Sequence, residues 1–177
     1  MRGWSLRTVH ILLVAVVLGS GLSVIAVTSP TPSGATSARD YKPDSQECRM
    51  LALINNYRRK HNEDKLELSA RLGAASEHHS KDMARKRKMY HSDLRKNAEQ
   101  HGYDGGSLGE NVGYRQGTGS AKPMFNSDNN SWIKSADHRR NILDGGFRAI
   151  GIARAKAGDT YYWTTIFGSE RDQEARC

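Results

Sequence analysis

Apolar residues recur at helical spacing through the first part of this chain and turn to two-residue alternation near its end. That switch of period limits the fold more than any other feature. Met50, Leu51, Leu53, Ile54 and Tyr57 form a helical stripe, and Asp44 followed by Glu47 has the spacing of a capping box, so the pattern predicts a helix over residues 46–61. Ser69 is a good N-cap for a second helix running to about Lys88. Its inner face would be Leu72, Ala75, His79 and Met83, with the small Ser76 beside them. Residues 90–107 are polar and irregular, and residues 108–114 suit a short strand. Residues 120–143 read as a third helical region, broken near residues 126–130 and stopped by Gly145 and Gly146. Residues 149–154 then alternate with Ile150 and Ile152 on one face, Gly158 marks a turn, and residues 161–167 are rich in aromatic and β-branched side chains. Helices followed by a terminal hairpin make an α+β domain, with helices packed against a small antiparallel sheet.

The beginning of the chain has another purpose. Arg2 and Arg7 precede an unbroken apolar run over residues 11–18, and Val24, Ile25, Ala26 and Val27 extend it beyond a glycine-serine break. This is the pattern of an export signal, with residues 35–37 the best place for cleavage. The apolar stretch also reaches the lower limit for a membrane anchor, so residues 1–27 are a signal peptide or a retained anchor. Either reading puts the remainder outside the cytoplasm. No cysteine stands directly after the segment to carry a lipid. Residues 28–43, rich in Ser, Thr and Pro, read as a flexible spacer, and residues 44–177 as the domain.

The chain carries a net charge of +8, and setting aside Arg2 and Arg7 leaves +6 on the exported part. Much of the surplus lies in Arg85, Lys86, Arg87 and Lys88 and in Arg139 and Arg140. Outside the cytoplasm such a surplus suits an anionic envelope polymer or lipid rather than nucleic acid, with a peptide as a further partner, and it also keeps a protein soluble. The membrane would be met only through the N-terminal segment. The two cysteines, Cys48 and Cys177, both fall in the exported part, where an even count favours a disulfide. Such a bridge would tie the first helix to the end of the chain and contribute roughly 4–5 kcal/mol in the chain-entropy account.

Four short motifs occur in a fixed order: Tyr90, His91 and Ser92; Gly109, Glu110 and Asn111; Trp132; and the run from Ser135 and Asp137 through His138, Arg139 and Asn141 to Leu143. With Ile150, Gly151, Ile152, Tyr162, Trp163 and Phe167 they resemble the CAP superfamily of cysteine-rich secretory, antigen 5 and pathogenesis-related proteins, in its compact bacterial form. The resemblance spans about residues 48–167 and implies a three-layer α-β-α sandwich. In many members two His and two acidic residues line a cleft that can hold a divalent metal. Carried over, these positions are His91, Glu110 and His138, with Ser135 where the second acid would be.

Two neutral imidazoles, His91 and His138, have the chemistry to hold zinc or another divalent ion with water in the open positions. Glu110 would then orient an imidazole or act as general base on a bound water. The same residues serve equally as a hydrogen-bonded brace, with Asn111 supporting the backbone. Trp132 and Trp163 are expected in the core. These readings lead to three expectations: an exported, non-enzymatic binding module; a divalent-metal-dependent hydrolase working through the His/Glu cleft; or a structural envelope component. Ser135 in place of a carboxylate favours the first.

Overall fold

The computed structural model describes residues 37–177. The expected export segment and residues 28–36 of the expected spacer lie outside the described residues. Helix α1 (Ser45–Lys60) begins at the predicted capping box: the Asp44 carboxylate accepts from Gln46 N at 2.7 Å and Glu47 N at 2.9 Å, and Glu47 accepts from Asp44 N at 2.8 Å. Met50 and Ile54 are its buried stripe. Strand β1 (Glu67–Leu68) leads into α2 (Ala70–Lys86), where the Ser69 hydroxyl caps Leu72 N at 2.9 Å. The expected inner face is buried: Leu72, Ala75, Ser76, His79 and Met83. There follow α3 (Leu94–Gln100), β2 (Leu108–Gln116), α4 (Ala121–Asn126), α5 (Ala136–Leu143), β3 (Ala149–Ala157) and β4 (Thr160–Gly168).

The strands form one sheet in the order β1-β3-β4-β2. Its three long strands are antiparallel, with Ile150 opposite Phe167 in the hairpin and Glu110 opposite Ile166 on the other side of β4. The short β1 adds a parallel pairing with Ala149 and Ile150. Helices cover both faces, which makes the α-β-α sandwich. Side chains of β4 alternate between the layers: Trp163 and Phe167 join Met50, Ile54 and Trp132, whereas Ile166 joins Leu72 and Ala75 under α2. Both Trp132 and Trp163 are fully buried, as expected. Cys48 and Cys177 form the expected disulfide, with Cα atoms 5.4 Å apart.

Three local readings need correction. The segment taken as irregular contains α3, a helix of seven residues without an apolar stripe. Tertiary contacts hold it: Asn97 Nδ2 donates to Ala75 O at 3.0 Å, and Ala98 is buried. Strand β1 has only two residues and exists through its pairing with β3, so no local period could reveal it. The end of the expected spacer belongs to the domain. Tyr41 is buried and its hydroxyl donates to Ile152 O at 2.5 Å, while its ring occupies the space left by the absent side chain of Gly73.

Glu47 does more than cap α1. It is buried, and its other oxygen accepts from Arg154 N at 2.9 Å, joining α1 to β3. Burial outweighs those donors and pushes its carboxyl up to about 7. The folded protein therefore binds this proton more tightly than the unfolded chain, whose carboxyl titrates near 4.5. Stability should fall as pH rises from about 4.5 to 7 and level off above, by about 3 kcal/mol from this group. Carbon NMR of the Glu47 side chain should give a midpoint near 7, and Glu47→Gln should flatten the stability profile in that window. A midpoint in the ordinary carboxylate range would remove the effect.

Candidate functional site: a groove beside the Glu110 brace

Glu110 and Asn111 are neighbours on β2, so strand geometry sends their side chains to opposite faces of the sheet. On the α2–α3 face the buried Glu110 carboxylate accepts three hydrogen bonds. Oε2 accepts from His91 Nδ1 at 2.7 Å and Ser92 N at 3.0 Å, and Oε1 accepts from Ser92 Oγ at 2.6 Å. His79 Nε2 stands 4.0 Å from Oε1 and donates instead to Tyr90 O at 2.7 Å. Burial pulls the His79 imidazole below its ordinary range, keeping it neutral beside the carboxylate. The assembly pins residues 90–92 against the sheet.

On the opposite face Asn111 holds α5. Its Nδ2 donates to His138 O at 3.0 Å, and its Oδ1 accepts from Asn141 Nδ2 at 2.9 Å. Asn141 Nδ2 also reaches Glu110 O at 3.1 Å. Trp132 Nε1 donates to Val112 O at 3.2 Å, so side chains occupy part of the outward edge of β2. The asparagine is thus a brace for a helix rather than for a turn.

The His138 ring and Ser135 line an open groove of about 640 Å³ that runs along β2 from Val112 to Gln116. Met89 and Tyr114 stand on its walls, and among the described residues they are the exposed large apolar side chains. Asp128, Asn129 and Asn130 close the far side, where Asp128 pairs with Arg115 at 2.9 Å. Ser135 is the N-cap residue of α5 but its hydroxyl makes no capping bond. Burial, then the electrostatic influence of His91, drives the His138 imidazole below its ordinary range. The two histidines are thus electrostatic neighbours, though carried by different segments.

These residues do not fit a resident metal. Catalytic zinc is normally held by three protein ligands. The groove offers one imidazole, His138, beside the Ser135 hydroxyl; its acidic residue, Asp128, is paired with Arg115, and Glu110 is bonded to His91 and Ser92. Among the described residues no three His, Cys, Asp or Glu side chains stand together as metal ligands. The sequence motifs identified His91, Glu110, Asn111, Ser135 and His138, but not the way they divide: Glu110 with His91 and Ser92, Asn111 with α5, Ser135 with His138. They also missed Met89 and Tyr114 as groove walls. Met89 lies in the segment after α2 and Tyr114 on the edge strand β2, and no periodicity signals their exposure.

A family profile described as the cysteine-rich secretory protein family matches residues 51–167. Among solved structures, an outer surface protein of Borrelia burgdorferi superposes with a TM-score of 0.61 at 18% identity, covering 73% of this chain and 98% of that one. An extracellular SCP-domain protein of Bacillus anthracis gives 0.61 at 20% identity, over 81% of this chain and 45% of its own. A cysteine-rich secretory protein of Staphylococcus aureus gives 0.56 at 18%, over 71% and 38%. This chain therefore spans less than half the length of the last two. The sequence has no significant match among curated proteins. At these identities the likeness concerns the fold.

Proposed function

The chain belongs to the cysteine-rich secretory protein family, and from that premise we propose that it is an exported binding module whose groove takes an anionic amphiphile of the cell envelope. The engagement of both Glu110 oxygens carries the choice of binding over hydrolysis. A general base needs a lone pair aimed at a substrate or water, and this carboxylate spends its oxygens on His91 and Ser92 in a buried setting. The second acid of the family's cleft is Ser135 here, and Asp128, the acidic residue that lines the groove, is paired with Arg115 at 2.9 Å. Export is supported by the N-terminal apolar segment and by neighbours described as outer surface or extracellular proteins.

The ligand chemistry follows from the walls. Met89 and Tyr114 offer apolar surface that water meets at a cost. Immediately before Met89, the basic run Arg85, Lys86, Arg87 and Lys88 is exposed at the end of α2. Arg85 and Lys86 are paired with Asp82. Arg87 and Lys88 extend the positive surface toward the groove. An acyl chain under an anionic headgroup matches both features.

The test is co-sedimentation with phosphatidylglycerol vesicles beside phosphatidylcholine vesicles. Binding should be confined to the anionic vesicles. It should weaken about thirtyfold when Arg87 becomes Asn and Lys88 becomes Ser, from about 1 kcal/mol per charge near an anionic surface. Asn keeps a residue tolerant of the left-handed backbone at position 87, where φ is 51°. Met89→Ser should weaken binding separately while leaving charge unchanged. Equal binding to both vesicles, or none to either, would overturn the ligand class.

A further inference from the structure

A second group of polar side chains lies between α2 and α3, sharing no lining residue with the groove. His78 projects from α2 one turn after Ala75, while Asn97 and His101 lie four residues apart on α3 and its cap. The His78 and His101 ring centres are 5.2 Å apart. Three buried atoms here have no hydrogen-bond partner: His78 Nδ1, His101 Nε2 and Asn97 Oδ1. Buried polar atoms seldom go unmatched, and three on adjoining side chains need a common explanation.

Their partners elsewhere fix which atoms are free. His101 Nδ1 donates to Asn97 O at 2.8 Å, leaving Nε2 with its lone pair. Asn97 Nδ2 donates to Ala75 O, leaving the amide oxygen. Two imidazoles on one tetrahedral ion, each nitrogen about 2.0–2.1 Å from it, place their ring centres roughly 5 Å apart. The observed separation matches. A cavity of about 190 Å³ touches both His78 and Asn97, giving solvent a way in and room for a water ligand.

We infer that His78, His101 and Asn97 form an interhelical site for a divalent transition-metal ion of the imidazole-preferring kind, such as Zn²⁺, with water completing its shell. Two imidazole nitrogens and one amide oxygen give the ion three protein donors. The ion would clip α3, a helix of seven residues, to α2.

The experiment is calorimetric titration of tag-free protein with zinc chloride, joined to nitrogen NMR of the histidine rings. One equivalent should bind and raise the melting temperature. His78→Gln, at a half-buried position that should still fold, should weaken binding at least tenfold. The His91→Ala, His138→Ala double variant should bind as the wild type does. In the wild-type spectrum, zinc should move His78 Nδ1 and His101 Nε2 and leave His91 in place. Zinc binding that disappears with His91 and His138 would overturn the site. So would absence of binding with unmoved ring nitrogens, which would mean that a buried water satisfies these atoms.

Discussion

Gly151→Ala should destabilise the protein by at least about 4 kcal/mol, among the largest effects a single methyl group can have. A Cβ at this position would sit 2.0 Å from Leu72 C, 2.1 Å from Leu72 O and 2.4 Å from Gly73 N. These are backbone atoms of α2, so no side chain can rotate away. The helix would have to lift off β3, opening the layer in which Leu72 and Ala75 meet Ile166. Gly158 provides the contrast. It occupies the hairpin turn with φ of +60° and open space around it, so alanine there should cost only about 1–2 kcal/mol of local strain. Urea unfolding of both variants checks the pair. A loss under about 1 kcal/mol for Gly151→Ala would show that α2 is not seated as described.

Removing the Cys48–Cys177 bridge should lower stability by up to about 5 kcal/mol, since it closes a loop of 129 residues. The folded state should nevertheless survive with its architecture intact. The C-terminal segment is held by other means: Ala70 N donates to Gln173 O at 2.7 Å, Ala175 N to Leu68 O at 2.8 Å, and Arg171 pairs with Glu67 at 2.6 Å. The effect therefore falls mainly on the unfolded chain, which gains conformational freedom when the bridge is cut. Cys48→Ser and Cys177→Ser should give equal losses, and so should reduction of the wild type. A loss under about 1 kcal/mol, or native-state spectra that change beyond the neighbourhood of the bridge, would contradict this account.

The candidate site was legible as a set of residue types and opaque as an arrangement. The motifs that carry His91, Glu110, Asn111, Ser135 and His138 pick out the β2 region, and all five side chains bond or line something there. But Glu110 and Asn111, adjacent in sequence, serve different layers. A single cleft built from all the named residues therefore divides into a brace on one face and a groove along the edge. His79 shows the same limit. Helical spacing put it on the inner face of α2, yet its closeness to Glu110 depends on how α2 crosses the sheet.

What the sequence determined by itself is what short-range physics controls. The capping box at Asp44, the N-cap at Ser69, the stripes of α1 and α2 and the alternation of β3 and β4 each depend on residues within a few positions of one another. The order of the motifs sufficed to name the family. Only the tertiary structure decided the rest. Helix α3 and strand β1 are too short to be stable through their own sequence and form because Ala75 O and β3 receive them. Tyr41 became core because Gly73 leaves room for its ring. Glu47, written as a helix cap, became a buried carboxyl once β3 supplied Arg154 N. In each case the deciding partner lies far along the chain, and the free energy that selects it comes from burial and hydrogen bonds that exist only after the layers close.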